Sequence, residues 1–200
     1  MARGLFVAFE GIDGCGKSTQ ARRVALERGA RFVFEPGDTV LGAHLRGWLL
    51  DATTPMSPTT ESLMMLADRS HHVATVIEPT LAVGTHVVAD RFYASTLAYQ
   101  GYGRGVDLAD LVAATDLAIG GCRPDVTVLI DIDVDTANER RTRNVDDRFE
   151  SADDAFHDRV REGYLEMAAL DHAHWFVVDG RATIGEVAAA IDGRLDALDW

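Results

Sequence analysis

Four runs along the chain are apolar almost without interruption and rich in β-branched or aromatic residues: "LFVAF" at 5–9, "THVVA" at 85–89, "VTVLIDI" at 126–132 and "WFVVD" at 175–179. A weaker fifth run, "RFVF", lies at 31–34. A strand with one wet face would show a polar residue at every second position, so these runs predict strands covered on both faces. Between them apolar residues recur every three or four positions, as in "LADLVAATDLAI" and "TIGEVAAAIDGRLDAL", which predicts amphipathic helices. Strands alternating with helices imply an α/β protein of three layers, with a doubly wound, five-stranded parallel sheet flanked by helices. No repeat or linker divides residues 1–200, so a single domain is expected. One segment departs from the rhythm. Residues 140–154, "RRTRNVDDRFESADD", are dense in charge and lack apolar periodicity, between a helix-like "DTANERR" and a clearer helix, "AFHDRVREGYLEMAAL".

Composition narrows the partners. Lys and Arg total 19 against 32 Asp and Glu, a formal charge of −13, so broad electrostatic attraction to nucleic acid is not expected and any anion must be held by a local cluster. No apolar run approaches the roughly 18 residues of a membrane span, and the N-terminal apolar run is cut short by Glu10, unlike a signal peptide. Two distant cysteines, Cys15 and Cys122, make neither a disulfide framework nor a metal-ligand set, which points to a reducing cytoplasm.

Candidate chemistry begins directly after the first strand. Gly11, Ile12, Asp13, Gly14, Cys15, Gly16, Lys17 and Ser18 fit G-x-x-x-x-G-K-[ST] at every specified position, followed by Thr19 and a helical pattern. Such a P-loop wraps the phosphates of a nucleoside triphosphate with backbone N–H groups and a helix N-terminus. Lys17 is expected on the β- and γ-phosphates and Ser18 on Mg²⁺. Lys17 is also the only lysine in a chain that otherwise writes its basic residues as arginine. The wide planar fork of arginine does not replace a compact ammonium inside such a loop. Cys15 reads as a small space-filler there. A second signal is "VVADRFYASTLAYQGYGRG", in which a buried strand ends in Asp90 and Arg91, at the sheet edge where α/β proteins bind ligands. Asp90 is placed to order the water shell of a metal, and Arg91 to lie between donor and acceptor phosphates.

Taken together, "FEGIDGCGKST", "EPGDT", "LRGWLLD", "LADRSHHV", "ADRFYASTLAYQGYGRG", "RPDVTVLIDID" and "DRFE" ahead of "FHDRVREGYLEMA" resemble, in order and over essentially the whole chain, the thymidylate kinases, which phosphorylate dTMP with ATP. The resemblance implies that Asp13 meets the acceptor's 3′-hydroxyl, that Arg46 and Arg91 hold its 5′-phosphate, that Arg69 and Gln100 address the base, and that Thr96 and Tyr99 line the sugar. For Tyr99 a core role is the competing reading. It further implies an acceptor-binding region at about 34–80, a homodimer, and a lid at about 140–154 that supplies the arginine absent at Gly14. Arg140, Arg141, Arg143 and Arg148 are the lid candidates, with Arg143 and Arg148 favoured for the transferring phosphoryl group. Two positions depart from the family pattern. Phe34 stands where an arginine usually precedes "EPG", and Met65 where a phenylalanine stacks on thymine; Phe34 is expected to supply the missing aromatic face. Two other readings stay open: a kinase for another deoxynucleoside monophosphate or modified pyrimidine nucleotide, and a non-catalytic P-loop nucleotide sensor.

Overall fold

A computed structural model describes residues 2–140, 147–198 and 200. β1 (Phe6–Glu10) leads through the P-loop into α1 (Lys17–Glu27), and β2 (Arg31–Phe34) leads into α2 (Val40–Leu50) and α3 (Pro58–His72). A π-helical turn (Val73–Ile77), α4 (Glu78–Ala82) and β3 (Val87–Asp90) follow, then α5 (Tyr93–Thr96), which widens into a second π-helical stretch (Leu97–Gly103). The remainder is α6 (Leu108–Ile119), β4 (Val126–Asp131), α7 (Val134–Arg140), α8 (Asp154–Leu170), β5 (Trp175–Asp179) and α9 (Ile184–Asp196).

All strand pairs are parallel, in the order β2-β3-β1-β4-β5. The chain moves from β1 to one edge and returns past it to the other, so the sheet is doubly wound, and the P-loop emerges at the reversal of direction. β1 shows why the strands read as continuous apolar runs. Phe6 and Ala8 pack on one face with Ile77, Leu81 and Ile119, while Val7 and Phe9 pack on the other with Val24, Val160 and Ile191. Each of the larger side chains among these contributes roughly 1.5–3 kcal/mol on burial.

Helix starts follow local chemistry. Thr39, Ser57, Asp107, Asp153 and Thr183 each accept a first-turn N–H, and Thr183 completes a capping box with Glu186. α6 occupies the residues that the periodicity marks, ending at Gly120 in a left-handed C-cap. β3 begins two residues later than the apolar run, because Thr85 N–H closes a turn onto Thr80 before pairing with β1 begins at Val87. The β2–α2 connection carries a cis Glu35–Pro36 bond.

Candidate active site

Among the described helices of eight or more residues, α1 is the one that starts without a side-chain cap or an acidic residue in its first turn. Its N-cap is Gly16 in the left-handed region, at φ 93°. The first N–H groups of an α-helix have no partner within the helix, so this end is open to an anion. Gly11 shows how tightly the loop is wound: at φ 138°, a Cβ there would lie 2.5 Å from Ile130 O and 2.8 Å from Cys15 Sγ. Cys15 fills this inner curve as a buried spacer, and burial raises its thiol pKa, so it is held as an inert thiol.

Asp13 is the centre of the cradle's charge. Lys17 Nζ lies 3.2 Å from Oδ1, Arg91 Nη2 donates to the same oxygen at 2.7 Å, and the Tyr99 hydroxyl donates to Oδ2 at 3.0 Å. Burial alone would raise the Asp13 pKa, but the charges of Lys17 and then Arg91 outweigh it and hold the carboxyl well below the usual range. Arg91 also donates to Gly11 O, Ser95 Oγ and the hydroxyls of Tyr164 and Tyr99. It does so from a left-handed backbone, φ 72°, that costs a non-glycine residue about 1–2 kcal/mol. Strain held in place by so many bonds is a mark of function. Tyr99 reconciles its two readings: the ring is 5% exposed in the core while the hydroxyl reaches the site.

Glu10 was not legible as a site residue. It ends β1 fully buried and accepts from Phe92 N–H at 2.8 Å, Ser95 N–H at 3.3 Å, Ser95 Oγ at 2.6 Å and the Tyr164 hydroxyl at 2.8 Å. These bonds fix the turn that carries Arg91. Burial raises its pKa against the opposing pull of Arg91. The available signal is a carboxylate at the end of a strand apolar on both faces, where it must be paired. Next to this turn, Asp90 Oδ1 is buried with no hydrogen-bond partner among the described residues, and the Ser18 hydroxyl is exposed at the start of α1. Among the described residues no three metal-ligating side chains cluster. A Mg²⁺ ion held mainly by phosphates and water would need only the Ser18 hydroxyl and, through water, the orphaned Asp90 oxygen, and these residues fit such a group.

From Asp13 and Arg91 an open cleft of about 710 Å³, solvent included, runs past Arg46, Met65, Arg69, Thr96, Tyr99 and Gln100. Arg69, 2% exposed, donates to Glu35 at 2.8 Å, Thr96 Oγ1 at 2.6 Å and Phe92 O at 3.0 Å. His72 bridges the other oxygen of Glu35, at 2.9 Å, to Asp38 at 3.2 Å. This pair of bonds holds the Glu35–Gly37 turn, whose Pro36 carbonyl accepts from Arg46 at 2.7 Å. Sequence reasoning thus named Asp13, Arg46, Met65, Arg69, Arg91, Thr96, Tyr99 and Gln100, which line one cleft, and missed Glu35, which accepts from Arg69, Glu61, which accepts from Gln100, and Asp68, which accepts from Gly37 N–H.

Two expectations are corrected by the geometry. Phe34 does not line the cleft; its ring stacks on Phe32 at 6.4 Å with the Arg46 guanidinium 6.0 Å away, because alternation along β2 turns it outward beside Phe32. Arg148 does not lie over the P-loop. Its side chain donates to the carbonyls of Leu49, Asp51 and Thr54, its N–H to Leu50 O, and Glu61 is 3.9 Å away, so the end of α2 and the α2–α3 connection hold it. Arg140 donates to Gly180 O, at the end of β5. Arg141 and Arg143 lie outside the described residues.

A family model described as thymidylate kinase matches residues 9–191. The thymidylate kinase of Burkholderia vietnamiensis is 44% identical, spanning 99% of this chain and 100% of that protein. That of Desulforudis audaxviator is 43% identical over 98% of this chain and 91% of its own. The crystal structure of thymidylate kinase from Ehrlichia chaffeensis has a TM-score of 0.80 at 30% identity and covers 97% of this chain and 99% of that one. Motif, sheet order, cleft and near-full-length similarity agree: the chain belongs to the thymidylate kinase family.

Proposed function

We propose that the chain transfers the terminal phosphoryl group of ATP to dTMP, forming dTDP. The observation that carries this reading is the continuity of the cleft, which joins Asp13 of the phosphate loop and the neighbouring Arg91 to a recess at Met65, Arg69 and Gln100. Donor phosphates belong on the Gly11–Ser18 loop and the open end of α1, with Lys17 following the negative charge as it moves. Arg46 and Arg91 bind the acceptor phosphate from two sides, and Asp13 receives the 3′-hydroxyl while keeping Arg91 in place. Mg²⁺, held by Ser18 and through water by Asp90, would neutralise charge on the donor phosphates. An acceptor phosphate is already an oxyanion at neutral pH, so no general base is required and alignment with charge compensation carries the rate. Arg143, from the charged segment, is the residue we assign to the transferring group. Homodimer formation and a cytoplasmic location belong to the same proposal; no described helix is long and apolar enough to cross a membrane.

The test is direct. Purified protein with Mg·ATP is offered dTMP, dUMP, dCMP, dGMP and UMP while ADP release is followed. Preferred turnover of dTMP is expected. Preference for another monophosphate, or ATP binding without transfer to any, refutes the reading.

A further inference from the structure

Glu61 is 2% exposed near the start of α3, beside the nucleoside end of the cleft yet not part of its lining. Everything that faces its carboxylate is a donor. Gln100 Nε2 donates to Oε1 at 3.0 Å, Arg104 Nε to the same oxygen at 3.4 Å, and Arg148 Nε lies 3.9 Å from Oε2. A carboxylate between two guanidinium groups can only accept, so the Gln100 side chain must turn its amino group toward it. That choice fixes the other end. Gln100 is 1% exposed and lines the cleft, and with Nε2 given to Glu61 its Oε1 is the end left for the cleft. An amide that would otherwise rotate between two equivalent orientations is therefore locked with its acceptor toward the ligand.

We propose that Glu61 is a specificity-determining positioning residue: by taking the amino group of Gln100 it presents the carbonyl oxygen to the acceptor base, selecting a ring that carries an N–H over one with a bare ring nitrogen. This rests on the reading of the cleft as a pyrimidine monophosphate site. Arg69, a pure donor, lines the same recess, so the pair asks for an N–H next to a carbonyl, the edge of a 4-keto pyrimidine. A 4-amino pyrimidine offers the reverse at both atoms and would leave the Gln100 oxygen facing a lone pair. Sites built on such buried hydrogen bonds discriminate far more strongly than apolar pockets do, because the rejected ligand leaves the site's own groups unpaired. Glu61 touches no substrate; it acts through Gln100.

The experiment measures kcat/KM for dTMP and dCMP, and binding of both by calorimetry, in the wild-type protein and in Glu61→Gln and Glu61→Asp. The amide introduced by Glu61→Gln can donate or accept, which frees the Gln100 amide to rotate, so the dTMP-to-dCMP ratio is expected to fall by about 10-fold or more. The KM for ATP should stay unchanged. Glu61→Asp keeps an acceptor-only group and is expected to retain the ratio even where overall efficiency drops. A ratio unchanged in Glu61→Gln, with both substrates losing equally, would overturn the assignment and leave a packing role. Wild-type protein that binds neither nucleotide overturns the pyrimidine reading itself and this assignment with it.

Discussion

Lys17 is 6% exposed and lies in ion-pair distance of Asp13, which also takes Arg91 and Tyr99. One ammonium fits between that carboxylate and the loop, whereas a guanidinium would need a second acceptor in its plane. Lys17→Arg preserves charge and makes the chain lysine-free. It should lower kcat by about 10² or more, the scale of losing one preorganised charge contact, while circular dichroism and the melting temperature stay near wild type. Near-normal turnover would remove Lys17 from the mechanism. At this scale the sequence was informative where a motif demands a residue type, as at Lys17 and Ser18, and silent where a role depends on burial. Glu10 is marked only by its place at the end of an apolar strand, and nothing in the spelling of Glu61 or Asp68 separates them from the many solvated carboxylates in an acidic chain. Only packing reveals that they are enclosed.

Between elements, two joints set the acceptor side. At the first, Glu35 after β2 is clasped by Arg69 and His72 of α3. Asp68, on the same helix, is pushed up to about 6 by burial and then by Glu35. Burial alone would lower His72, but Glu35, Asp38 and Asp68 outweigh it and raise it. Both groups bind protons more tightly folded than unfolded, so their contribution is complete below the unfolded values and is lost as pH rises through the folded ones. For Asp68 this window runs from about 4 to about 6, and for His72 it lies above about 6.5. Asp68→Asn should therefore shrink the difference in unfolding free energy between pH 5 and pH 7.5, read by urea titration. An unaltered difference would mean that Asp68 titrates normally. At the second joint Arg148 binds carbonyls of the α2–α3 connection, and Phe149 meets the Tyr99 ring edge-on at 5.6 Å. Arg148→Gln should raise the dTMP KM by about 10-fold with kcat within a factor of about three, whereas Arg143→Ala should cost kcat roughly 10³. A kcat collapse in Arg148→Gln would return it to the transferring phosphate. Element types were legible from periodicity, down to the bounds of α6. The π-helical stretch that turns both Tyr99 and Gln100 inward was not, since its residues repeat at ordinary helical spacing, and a dense run of charge hides which arginine is enclosed.

For the molecule as a whole, the alternation of apolar runs with helical patterns was enough to read a covered parallel sheet, because each strand had to be dry on both faces. Oligomeric state is a different matter, since exposed apolar residues are normal on any surface. Here Trp48 at 57%, Leu63 at 59% and Val112 at 41% exposure stand on α2, α3 and α6, which pack side by side. These exposed side chains are the ones on which the proposed homodimer is tested. Each copy carries −13, so association works against like-charge repulsion. Raising salt from about 0.05 to 0.5 M should tighten the dimer through screening, and Trp48→Glu should yield monomers by sedimentation. Monomers at every salt concentration in the wild type would refute the dimer.

The close approach of α7 to the phosphate loop bears on how such a chain can change over time. At Gly14, φ 88°, a Cβ would come within 2.9 Å of Ala137 O. The same helix ends at Arg140, at the threshold of the charged segment. Room for a side chain at this point of the loop is therefore set by the backbone of α7. A loop carrying any larger residue at this position would need α7 to stand farther off, so Gly14 and the path of α7 can change only together.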